Sequence, residues 1–292
     1  IDKSQTSFTF IDKQERQTGG TFAPAGSANE MVKIDGNINY HTWIMKDVPG
    51  LKEEPFTTTI QNSLAKIEFQ LKEIAYPNSF ARPVMNTWEK TAQSLMEDED
   101  FGAAINRPNN WLDDEVALVI KGASSNAEKT RRLYEYVRDN FSCTSYNRRN
   151  ITSSLKDVMK NKNGSVADLN MLLIAMLKTL KIDANPVLLS TRSHGFTSEL
   201  YPLIDRYNYI VAHVADGNEN YFLDAATPRL AFNKLPLSVY NGQARVITEK
   251  EAIPVYFMAD SITETNNTIV FISHGNNRKV DGFFPTNMGY SS

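Results

Sequence analysis

Between Lys162 and Leu180 the chain reads KNGSVADLNMLLIAMLKTL, and this stretch limits the choice of fold more than any other. Leu169, Leu172, Leu173, Met176, Leu177 and Leu180 recur at helical spacing, with Ile174 and Ala175 among them. A helix apolar nearly all round is buried on most sides. Its start is equally marked. Gly164 is expected to let the backbone turn tightly, Ser165 is a good N-cap, and Asp168 three residues on completes a capping-box-like pair. Such an N-terminus stabilises negative charge on its first turn, for instance a thiolate. The residue there is Val166, and an aliphatic side chain cannot attack anything.

The rest of the chain predicts an α+β protein. Residues 1–80 read as β-rich: SFTFID, VKIDGNINYHTWIM, FTTTI and AKIEFQLKEI alternate apolar and polar residues, punctuated by Gly19-Gly20, Gly36 and Pro49-Gly50. This segment is expected to be the end of a β-sandwich or a connector. Residues 81–125 read as a helical linker. Ser125-Asn126 then caps AEKTRRLYEYVRDNF, whose Leu133, Tyr134, Val137 and Phe141 share a face. A polar loop with Cys143, Arg148 and Arg149 leads to a second capping box at Ser154 and Asp157. After the apolar helix come a strand ending in STRSHG and a hairpin of YNYIVAHV with NYFLDAAT. Residues 248–292 read as a short C-terminal β segment.

Composition narrows the function classes. With 41% hydrophobic and 22% charged residues, 292 residues suit two or three globular modules. A net charge of −3 without a Lys/Arg run argues against nucleic acid and a polybasic membrane anchor. Cys143 is the single cysteine, so no internal disulfide forms. No apolar run reaches the roughly 18 residues of a membrane span. The four histidines lack metal spacing, and the acidic run Glu97–Asp100 lacks the Gly and distal Glu of a calcium loop. Neither a metal nor a cofactor is expected. The chain opens IDKSQTSFTF, without Met, and reads as a piece of a longer protein.

If Asp216 and Gly217 form the hairpin's two-residue turn, Tyr209 faces Asp224 and His213 faces Asn220. A cysteine-hydrolase-like site needs a base on one strand and an orienting carboxylate across from it. Asp224 holds the carboxylate position, and Tyr209 stands where an imidazole is needed. His213 lies four residues along, roughly 13 Å away.

With these landmarks in place, residues 126–247 resemble a bacterial transglutaminase-like domain, the papain-related fold shared by transglutaminases and some microbial peptidases. The family pattern is Gly-x-Cys-x-Asp at the start of the helix, then a His and an Asp on successive strands. Gly164 and Asp168 match, which places the cysteine position on Val166. Tyr209 falls on the catalytic His and Asp224 on the Asp. STRSHG, LDAAT and LPLSVYNG are similar to a Bacteroides-type subgroup in which this domain follows a β-sandwich of unknown function.

The resemblance implies helices packed on an antiparallel sheet, a degenerate triad at Val166, Tyr209 and Asp224, and an extracytoplasmic location. It points to a non-catalytic binding or structural module. Arg192, His194, Tyr209 and Asp224 would flank a cleft for a peptide or glycan, and the parent chain's other domains would be further partners. The opposing expectation is an active peptidase or protein-glutamine acyltransferase with a displaced nucleophile, Cys143 or Ser165. A purely architectural role predicts a closed cleft.

Overall fold

In the computed structural model, which describes residues 8–22, 32–48, 50–52, 58–75, 80–262, 266–274, 280–283 and 285–288, the chain divides into two compact units between Met85 and Asn86. The first is led by an antiparallel hairpin of β1 (Phe8–Phe22) and β2 (Val32–Met45), with a register shift between Gln17 and Gly20. Two other expected strands differ. Of FTTTI, Ile60 opens a short 3-10 turn whose cap, Thr59, accepts a hydrogen bond from the Gln61 amide, while Phe56 and Thr57 lie outside the described residues. Of AKIEFQLKEI, only β3 (Glu73–Ile74) pairs, with β4 (Arg82–Pro83). The alternation is present, but every residue from 65 to 74 is exposed. A strand pattern forms a stable sheet only where partner strands and a covered face support it.

The second unit begins with α1 (Trp88–Glu97), α2 (Gly102–Asn106), α3 (Asp113–Val119) and α4 (Asn126–Asn140). Then come β5 (Ser142–Ser145), α5 (Leu155–Asn161), β6 (Asn163–Ser165) and α6 (Val166–Thr179). Every residue from Val166 to Leu177 is buried, as an all-round apolar helix requires. The helices α2, α4 and α5 pack on α6 from one side and β7 (Asp183–Leu189) and β8 (Tyr209–Asp216) from another. With β9 (Glu219–Leu223), β10 (Gly242–Ile247) and β11 (Ala252–Phe257) these strands form one antiparallel sheet, in the order β11-β10-β7-β8-β9. Short strands follow: β12 (Asn266–Thr268) pairs with β15 (Thr286–Met288), and β13 (Phe271–His274) with β14 (Val280–Phe283). This is the α+β architecture expected of a helix-on-antiparallel-sheet core.

The β8–β9 turn is displaced from its expected position. Asp216 pairs with Glu219, so the two turn residues are Gly217 and Asn218. Gly217 has φ +63°, and a tight hairpin turn takes a positive φ at its first central position. Placing glycine first rather than second moves the register by two. His213 therefore faces Phe222, not Asn220. Because strand side chains alternate with period two, the same residues stay on the same face.

Candidate functional site

The start of α6 is built by local sequence. The Ser165 hydroxyl accepts from the Asp168 amide at 3.3 Å, and Asp168 Oδ2 accepts from the Ser165 amide at 2.7 Å, a complete capping box. Asp168 also accepts from the Thr152 amide and hydroxyl, each at 2.7 Å, which ties the preceding loop to the helix. Gly164 serves close approach rather than a turn. A Cβ there would lie 2.7 Å from Asp168 Cβ, closer than packed carbons can come. Val166, which the sequence resemblance aligns with a nucleophile position, is wholly buried as the first residue of the helix.

Asp224 lies just past β9 and is fully buried. Its Oδ2 accepts from the Tyr209 hydroxyl and the Thr227 hydroxyl, both at 2.8 Å. Its Oδ1 accepts from Asn170 Nδ2 and the Ala226 amide, both at 3.0 Å. Two donors on each oxygen satisfy a carboxylate. Burial pushes the Asp224 carboxyl above its usual range, against the pull of these donors. Burial, with the adjacent carboxylate, likewise drives the Tyr209 phenol far up, so it stays a donor. The contact between Tyr209 and Asp224 survives the register shift because a slip of two preserves the face. Asn170 also holds Ile210 O, at 2.9 Å, and the Ala225 amide, at 2.8 Å. The sequence carried a signal for it: a lone amide inside the apolar run of α6, which is buried only if it is bonded.

A cleft of about 490 Å³ opens over Tyr209, bordered by Tyr146, Asn147, His194, Asn208 and Thr227. One wall comes from the long β7–β8 connection. Asn241 Nδ2 reaches the carbonyls of Ser190, Thr191 and Gly195 at 3.3, 3.2 and 2.9 Å, and Gly195 itself sits at φ +113°. This fixes the turn that presents His194. His194 is exposed, and its Nε2 lies 3.4 Å from Asp205 O. Arg192 contributes its main-chain amide, bonded to Ser238 O at 2.8 Å, while its side chain is not among those lining the cleft. Of the residues singled out in the sequence, the cleft thus gathers Tyr209 and His194, with Asp224 directly behind Tyr209. Asn147 and Asn208, bonded to each other at 2.9 Å across the cleft wall, carry no motif that would have marked them.

Cys143 sits closer to this site than its loop suggested. Its β5 backbone pairs in parallel with β6, Cys143 opposite Gly164. The half-buried thiol donates to Ser145 O at 3.4 Å. Burial raises its pKa above the ordinary thiol value, and the Asp224 charge adds to that. His213, partly buried on β8, places Nε2 2.8 Å from Asn220 Oδ1. Ser165 is 2% exposed, its hydroxyl engaged as the cap. Among the described residues no three His, Cys, Asp or Glu side chains are grouped to hold a metal ion, and no helix is long and apolar enough to cross a membrane.

Comparison with known proteins gives a family for this region. Residues 114–223 match the sequence profile of the transglutaminase-like superfamily. No curated protein matches the chain. Among solved structures it is similar to a "putative protease" from Parabacteroides distasonis, at 10% identity and a TM-score of 0.47, over 86% of this chain and 43% of that one. It is also similar to a "putative cysteine protease" from Cytophaga hutchinsonii, at 10% identity and a TM-score of 0.33, over 99% of this chain and 79% of that one. The chain therefore spans less than half the length of the first of these. Residues 114–223, which carry Val166 and Tyr209, are thus similar to a transglutaminase-like domain.

Proposed function

We propose that this is a catalytically degenerate transglutaminase-like domain, a binding module for peptide or glycan within a larger secreted or cell-envelope protein of bacterial type. The observation that carries the reading is the saturation of Asp224. Its four donors are Tyr209, Thr227, Asn170 and the Ala226 amide, which leaves this carboxylate no lone pair with which to orient an imidazole. The helix that would present a thiolate presents Val166 instead. The open cleft favours a binding role over a purely architectural one, which predicted a closed one. The extracytoplasmic location rests on resemblance to the Bacteroides-type subgroup. The test is enzymatic: the chain is expected to show neither casein cleavage nor incorporation of a fluorescent amine into casein. Turnover lost in Cys143→Ser would sink the reading.

One observation favours a second reading, an active cysteine peptidase or acyltransferase with a displaced nucleophile. Cys143 lies across from Gly164, two residues from the family's cysteine position. A nucleophilic thiol reacts through its thiolate, so it needs a lowered pKa, and burial moves Cys143 the other way. Iodoacetamide at pH 6 separates the two. Alkylation slower than that of free cysteine supports the degenerate domain, and faster alkylation supports the displaced nucleophile. Ser165 as the nucleophile would require giving up its cap.

A further inference from the structure

We infer that the cleft over Tyr209 is a site for a neutral oligosaccharide, a conclusion that rests on the binding role proposed above and narrows it. Three observations carry it. The first is charge. No Asp, Glu, Lys or Arg side chain lines the cleft, and hydroxyls and amides make up most of its lining. The Asp224 charge behind them is spent on its own donors. The molecule has a charged cleft elsewhere, of about 480 Å³, bordered by Arg107, Asp113, Lys178, Lys181 and Glu249. The contrast makes the neutrality of the first a property of that site rather than of the surface in general.

The second is an aromatic platform. Tyr146 borders the cleft with 47% of its surface open. Its hydroxyl donates to Ala226 O at 3.1 Å, which holds the ring in place. A fixed ring offers a large apolar face at little entropic cost, the surface on which the C–H face of a pyranose packs. Around it stand polar groups with capacity to spare. Asn147 uses its Oδ1 to accept from Asn208, and among the described residues Asn147 Nδ2 and Ser238 Oγ have no partner. These match a ligand made of hydroxyls that both donate and accept.

The third observation separates sugar from peptide. Extended peptides are held chiefly by main-chain pairing, with pockets adding specificity. Here five amides along the β7–β8 connection are already used inside the protein: Thr191 to Asn208 Oδ1, Arg192 to Ser238 O, His194 and Gly195 to Thr191 O, and Asn208 to Leu189 O. That stretch has little main chain left to pair with a peptide, and side chains and a ring face carry the recognition.

The experiment titrates the full chain with neutral hexasaccharides of glucose, mannose, galactose and N-acetylglucosamine, and in parallel with a pool of end-capped neutral hexapeptides. Saturable binding of at least one hexasaccharide is expected. Tyr146→Ala should weaken it about tenfold and Tyr146→Phe clearly less, about threefold, since the ring carries the contact and the hydroxyl only holds it in place. Arg107→Ala, in the charged cleft, should leave it unchanged. Peptide binding sensitive to Tyr146→Ala, with no saccharide bound, overturns the saccharide inference while the binding module stands. Saccharide binding indifferent to Tyr146→Ala overturns it too. No binding of either class overturns both and leaves an architectural role.

Discussion

Two carboxylates in this domain are wholly buried, and they are held in different ways. Asp168 accepts from main-chain amides on both oxygens: Thr152 and, at 3.4 Å, Ser153 on Oδ1, and Ser165 on Oδ2, beside one hydroxyl. Asp224 accepts from one main-chain amide and three side chains. A main-chain N–H cannot turn away from its acceptor, whereas a hydroxyl rotates. Asp168 is therefore a clamp on the backbone at the start of α6, and Asp224 the centre of an exchangeable side-chain cluster. The backbone clamp at Asp168 tolerates no change of partner, whereas the cluster at Asp224 is set by which side chains surround it, the Tyr209 hydroxyl among them.

Replacing each carboxylate by its amide tests the contrast most severely. Asp168→Asn turns an NH2 toward an amide donor whichever oxygen it replaces, and is expected to cost about 3 kcal/mol, read as a lower urea midpoint at unchanged slope. Next comes Gly164→Ala, which forces a methyl against Asp168 and should cost about 2 kcal/mol by overpacking. A Gly164→Ala cost that largely vanishes in an Asp168→Gly background, where no Cβ remains at 168, would locate the clash. Asp224→Asn should cost only about 1 kcal/mol, because the Tyr209 and Thr227 hydroxyls can rotate to accept from the new amide. Equal losses at 168 and 224 would break the comparison.

The Asp224 variant should also change the pH dependence of stability. With the Asp224 pKa raised on folding, the folded chain holds a proton that the unfolded chain has already released. The wild type therefore loses stability relative to Asp224→Asn as pH rises from the usual carboxylate range through the raised value. An unchanged difference across that window would contradict the shift. The smallest effect belongs to Tyr209→Phe, under about 1 kcal/mol, since three donors to Asp224 remain; thermal unfolding resolves it.

The clamp was legible in the sequence and the cluster only partly so. Ser165 and Asp168 are three residues apart, and capping is local chemistry that any chain spells out in order. The β7–β8–β9 sheet was also legible, through alternation over long stretches. Two things escaped. The turn was placed one residue early because Asp-Gly suggests glycine in the second central position, whereas Gly217 takes the first. The cleft wall escaped because Asn147 and Asn208 meet through tertiary packing, from 61 residues apart. Residues 65–74 show the converse, a strand pattern whose ladder pairing, among the described residues, covers Glu73 and Ile74 alone.

The displaced turn bears on how chains of this kind can change length. Tyr209 and Asp224 meet across a hairpin whose faces repeat every second residue. Adding or deleting a pair of residues between them keeps both on one side of the sheet, and a single insertion sends one of them to the other side unless a bulge absorbs it. Natural variants that preserve this contact should therefore differ within the hairpin by even numbers, while the connection from Ser190 to Asn208 is free to differ by any.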